Sequence, residues 1–140
     1  MSFLRYFRLS ALSKRQFLLS LPEDADSYST DETSTPATWL GRTIYRKVLL
    51  FPNGPNAIQL VLVHNIADLD FFTSVRGFML GPGKTHVPLP YVGDSLDFDP
   101  NTCVSLDADQ DSALITPIDG MGQDWSSYSG AVILEYVKTP

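Results

Sequence analysis

The sequence predicts an all-β fold: an antiparallel, jelly-roll-like β-sandwich of about seven or eight strands, preceded by a short N-terminal arm. Three observations carry this. Short apolar runs rich in β-branched and aromatic residues recur along the chain. Clusters of Gly, Pro, Asn and Asp punctuate them at strand-length intervals. After Trp39 no long stretch keeps the 3.6-residue apolar period of an amphipathic helix.

The elements follow in order. Residues 1–27 read as a basic arm and linker, and 28–140 as the sandwich. The arm carries Arg5, Arg8, Lys14 and Arg15 and no acid through residue 15. These charges interrupt every apolar run, so neither a secretory signal nor a membrane span is expected there. Leu4, Phe7 and Ala11 fall at helical spacing, so the arm can form an amphipathic helix that packs on its own domain or on a partner. From Leu21 to Thr38 the chain is polar and reads as a linker or extended segment.

Ile44 to Phe51 is the first strand, ended by the turn cluster Pro52-Asn53-Gly54-Pro55. Ile58 to His64 and Phe71 to Leu80 follow, the latter closed by Gly81-Pro82-Gly83. Val87 to Val92 holds two prolines and suits an edge strand or a loop. Thr102 to Leu106 and Ala113 to Ile118 are the next candidates. In Ala131 to Val137, Val132, Leu134 and Tyr136 share one face, and Ile133, Glu135 and Val137 the other. Both faces are largely apolar, which predicts a central strand.

Composition excludes several classes. The 140 residues carry 10 Lys+Arg and 16 Asp+Glu, a net charge of −6, which argues against nucleic acid as a partner. Between Asp94 and Asp124 lie eight aspartates and no Lys or Arg, a pattern of solvated loops. The single Cys103 can form neither an internal disulfide nor, by itself, a zinc site, and it fits assembly in a reducing cytoplasm. A chain of this length buries roughly 68% of its unfolded surface and needs no disulfide.

No catalytic constellation stands out, so no enzyme activity, cofactor or metal is expected. His64 ends a strand and reads as a hydrogen-bonded structural residue; His86 follows a Gly-Pro-Gly turn and reads as exposed. Asp107, Asp109 and Asp111 begin like a calcium loop, but Ser112 and Ile118 stand where such a loop needs Gly and Glu. An Asp-rich β-turn is the favoured reading, with calcium between subunits as the alternative. For a glycan, the loop Gly120 to Tyr128 offers Trp125 and Tyr128 for stacking and Asp124 as acceptor, with Tyr91 next. The competing reading has these rings capping the end of the core.

Several motifs occur in a fixed order: Trp39-Leu-Gly41-Arg42-Thr-Ile-Tyr45-Arg46-Lys47, then Val63-His64-Asn-Ile66-Ala-Asp-Leu69-Asp70, then Val75-Arg-Gly77, Pro88-Leu-Pro90 and Leu134-Glu135-Tyr136-Val-Lys138. From Tyr28 onward, about four-fifths of the chain, this resembles the small C-terminal domain of tailed-bacteriophage virion proteins, including tail fibres and tail or baseplate proteins. Arg42 stands where that family more often has Lys, the acidic 94–124 segment is longer, and residues 1–21 have no counterpart. The resemblance implies a virion structural protein, assembled in the host cytoplasm and involved in attachment to the host surface. It also implies a homotrimer. Arg5, Arg8, Lys14 and Arg15 would then dock on other virion proteins. The alternative is a decoration, collar or adaptor subunit without receptor contact.

Overall fold

A computed structural model describes residues 28–56, 58–92, 103–117 and 124–140. These form nine strands: β1 (Thr33–Trp39), β2 (Arg42–Phe51), β3 (Leu60–Val63), β4 (Leu69–Leu80), β5 (His86–Leu89), β6 (Tyr91–Val92), β7 (Cys103–Ala108), β8 (Ser112–Pro117) and β9 (Ser129–Lys138). A single 3-10 turn, Pro82–Lys84, joins β4 to β5. One sheet runs β1-β2-β9-β4-β5 and the other β3-β8-β7-β6, and every pairing is antiparallel. The all-β sandwich expected from the sequence is what forms, with the arm and linker, residues 1–27, outside the described residues.

The core lies between the sheets. Leu49 and Phe51 of β2, Met79 of β4, and Val132, Leu134 and Tyr136 of β9 meet Val104, Ala113 and Ile115 of the second sheet. β9 is central, flanked by β2 and β4, as its two apolar faces predicted. Gly77 lets β4 and β9 close: a Cβ there would stand 2.6 Å from the Ala131 carbonyl oxygen.

The topology starts as a jelly roll does. β2 pairs with β9 and β3 with β8, so the two ends of the chain roll up together. The nesting stops there, because β4 pairs with β5 as a hairpin and β7 with β8 as another. The proline-rich stretch is an edge, as expected: β5 borders the first sheet and β6 the second, with a cis Leu89-Pro90 bond between them.

One strand escaped the sequence reading. β1 is Thr-Ser-Thr-Pro-Ala-Thr-Trp, part of the segment read as a linker or extended chain. It has no apolar alternation, and its register on β2 shifts between Ser34 and Thr38. An edge strand needs only one partner and tolerates such a bulge and a Pro.

Candidate functional site

Most residues of the ordered motifs lie on the five-stranded sheet, while Val63 ends β3 of the other. Arg46 and Glu135 face each other across β2 and β9, and the Arg46 Nε and Nη2 both lie 3.0 Å from Glu135 Oε1. Arg76 of β4 reaches the same oxygen at 3.1 Å. Burial alone would raise the Glu135 carboxyl, but hydrogen bonds from Arg76 and Arg46 outweigh it and hold the group below the usual carboxylate range. Next along β9, the buried Tyr136 hydroxyl donates to Glu32 Oε2 at 2.6 Å. Burial and that carboxylate push the phenol well above its ordinary value. Glu32 also pairs with Lys138, whose ammonium lies 5.0 Å from the centre of the Tyr45 ring. Arg42 binds Asp70 at 2.7 Å and the Lys138 carbonyl oxygen. Residues scattered from 32 to 138 are thus tied together across β2, β9 and β4, with Glu135 and Tyr136 anchoring opposite faces of β9.

At one end of that sheet is an exposed apolar tip. β1 and β2 are joined by the two residues Leu40 and Gly41, with φ of 48° and 80°, between the paired Trp39 and Arg42. Two consecutive positive φ values are those of a type I′ hairpin turn. Gly41 takes this conformation at no steric cost, and nothing lies where its Cβ would be, so dihedral freedom and not crowding explains the glycine. Leu40 has no such freedom and is 91% exposed. Trp39 is 48% exposed and meets Phe71, 38% exposed, edge to face at 6.2 Å. The Arg42 guanidinium sits 5.8 Å from the centre of the Phe71 ring. The Arg42–Asp70 pair thus lies against the Phe71 ring, which in turn meets Trp39.

The loop expected to offer stacking rings is built differently. Trp125 is only 6% exposed and belongs to the core cluster. Its N–H donates to the Pro55 carbonyl at 2.9 Å, and Gly54 N–H donates to the Tyr128 carbonyl at 2.7 Å. Tyr128 is half-buried and meets Trp125 edge to face at 5.0 Å. Trp125 thus caps the end of the sandwich, with Tyr128 half-buried beside it. Tyr91, on β6, is also half-buried against the core. Asp124 is exposed, and hydrogen bonds from Ser126 hold its carboxyl low. Of the four residues proposed for glycan contact, only Asp124 stands open to solvent. Arg5, Arg8, Lys14 and Arg15 lie outside the described residues.

The other candidates have structural partners. His64 is buried; its Nδ1 accepts from the Ile66 N–H at 3.1 Å, so its Nε2 carries the proton and donates to the Asp109 carbonyl at 3.1 Å. His86 is exposed and stacks on Phe78. Asp109 forms the β7–β8 turn: its Oδ1 accepts from Asp111 N–H at 2.9 Å and Ser112 N–H at 2.8 Å, which lowers its pKa. The Asp-rich β-turn is thus what the chain makes. Among the described residues no group of three or more His, Cys, Asp or Glu is gathered as a metal site. Among them, too, no helix is long and apolar enough to cross a membrane.

Comparison with protein-family models, with curated proteins and with solved structures found no match to this chain.

The sequence pattern alone does not bring Trp39, Leu40 and Phe71 together as a site. Part of the signal was present: a Gly two residues after Trp39, directly before a β-branched run, marks a tight hairpin whose flanking side chains stand at a sheet end. What no local pattern reports is that β4 brings Phe71 beside Trp39.

Proposed function

We propose that this chain is a structural protein of a bacteriophage particle, of tail-fibre or tail-tip type, that contacts the host cell surface and performs no catalysis. The ordered motifs support the virion reading. Most of them match residues tied together on one sheet, which accounts for residues far apart in sequence occurring as a set. Such a set alone is a likeness of fold, and function has to rest on a site.

The observation that carries host contact is the exposed tip of Trp39, Leu40 and Phe71. An exposed leucine held at positive φ is locally unfavourable, and such strain belongs where a surface has work besides folding. Two open rings beside an arginine and an aspartate suit a glycan. The rings cover sugar C–H faces, while Arg42 and Asp70 meet hydroxyls. As a fibre tip the protein would act as a homotrimer, the assembly implied by the resemblance.

The test is adsorption of the purified full chain to host cells, with a glycan array beside it, for the parent and for Trp39→Ala and Phe71→Ala. Loss of binding with an unchanged unfolding midpoint supports contact through the tip. Equal adsorption by parent and variants overturns it. The alternative, a decoration, collar or adaptor subunit, then stands, and the residues tied across the sheet favour that reading equally.

A further inference from the structure

The face of the five-stranded sheet turned away from the core carries an apolar patch. In a two-layer sandwich, that face should be wet and polar. Across it, Leu50, Ala131 and Phe78 align in register on β2, β9 and β4, with Val48 and Ile133 one pair further along. Leu50 is 65% exposed. Two adjoining cavities of about 480 and 460 Å³ share Leu50, Phe78 and Ala131, so they form one groove. It runs from Tyr28 at one end to Pro52 and Leu80 at the other.

Tyr28 is the first described residue, so the chain outside the described structure arrives at the groove itself. The Tyr28 ring lies 4.4 Å from the Arg46 guanidinium, and the Ser29 carbonyl accepts from the Val48 N–H at 2.9 Å. That hydrogen bond seats Ser29 on β2, so Tyr28 stands at one end of the groove. We propose that the groove is filled by this chain's own segment Phe17-Leu18-Leu19-Ser20-Leu21.

Lengths and charge agree. From Val48 to Pro52 the groove extends roughly 14 Å, and five extended residues span about 17 Å. The seven steps from Leu21 to Tyr28 reach up to about 24 Å, enough to fold back over the sheet. The link between them carries Glu23, Asp24 and Asp26, and the Tyr28 end of the groove is edged by the partly exposed Arg76. A segment tethered this closely has an effective concentration in the millimolar range, so even a shallow apolar groove fills in cis before any free partner competes. Arg5, Arg8, Lys14 and Arg15 are left beyond the docked segment. The inference concerns the sheet face alone and is independent of host contact.

Trypsin tests it, because Lys14 and Arg15 directly precede the docked segment. The full chain is compared with full-length Leu50→Asp and with a chain lacking residues 1–21, with circular dichroism confirming the fold of each. Leu50 is exposed and outside the core cluster, so the substitution leaves the sandwich intact. Docking predicts slow cleavage after Arg15 in the parent and cleavage at least about tenfold faster in Leu50→Asp, the factor lost with one buried leucine. It also predicts that an apolar-surface dye binds the shortened chain and not the parent. Equal cleavage in parent and Leu50→Asp overturns the proposal. So does protection that fades on dilution in step with particle mass, since the groove would then be filled by a second copy. A dye signal from the parent equal to that of the shortened chain, with cleavage unprotected, overturns it as well.

Discussion

Two edge-to-face aromatic pairs sit in this molecule, and they have opposite surroundings. Trp125 and Tyr128 meet at 5.0 Å and 73°, Trp39 and Phe71 at 6.2 Å and 79°. The geometry is similar and the roles differ. Trp125 is backed by the core and clasped by two backbone hydrogen bonds between its loop and the Pro52–Pro55 turn. Trp39 stands on the outermost strand of its sheet, next to a two-residue turn, with solvent over much of its ring. The comparison teaches that an aromatic pair is a core element or a contact surface according to what covers it. Ring type and loop position do not decide.

The largest expected effect is at the buried pair. Trp125→Ala removes a ring from the sandwich end and should cost about 3–5 kcal/mol, read as a lower denaturant midpoint at an unchanged slope. A cost under about 1 kcal/mol would show that the loop ring does not cap the core.

Next comes the cluster of Glu135 with Arg46 and Arg76 on the same sheet. Glu135→Gln weakens the hydrogen bonds from Arg46 and Arg76 and should cost about 1–3 kcal/mol at pH 7. The sign of its pH dependence follows from the lowered carboxyl. The ion pair stabilises the fold fully above the unfolded-state value near about 4.3, and that contribution is lost as pH falls through the lower folded-state value. The gap between parent and variant in denaturant titrations should therefore close on acidification. A gap constant from pH 7 to pH 3 would sink the assignment.

At the exposed pair the effects shrink and one reverses. Leu40→Asn places at positive φ a residue that tolerates it, so stability should rise by about 0.5–1 kcal/mol while adsorption falls. A loss of stability there would mean that the Leu40 side chain is covered by something. The smallest change in stability is expected for Trp39→Ala, about 1 kcal/mol or less, measured beside the adsorption assay.

Much of the architecture was legible before the structure. From Ile44 onward, strand positions follow from runs such as Val48-Leu49-Leu50-Phe51 and Ala131-Val132-Ile133-Leu134, because apolar β-branched residues between turn clusters have few other options. The Asp109 turn and the hydrogen-bonded role of His64 were legible too, since short polar side chains bond to nearby backbone. β1 was not, because Thr33 to Trp39 becomes a strand only by pairing with β2. The site was hardest to read. Trp125 and Trp39 are both a tryptophan beside a turn; the Gly41 turn places Trp39 near a sheet end, but only the fold decides which ring is covered.

The apolar runs and turns of this chain were enough to make it all-β and to place β9 at the centre, because alternation and strand length are local properties of the backbone. Which strands pair, which face of β9 meets the second sheet, and whether Trp39, Trp125 or Leu50 sees water were settled only on folding. Those outcomes depend on contacts between residues as distant as Arg42 and Lys138 or Gly54 and Trp125. Burial is a property of the neighbours, and in a sandwich the neighbours come from the far ends of the chain.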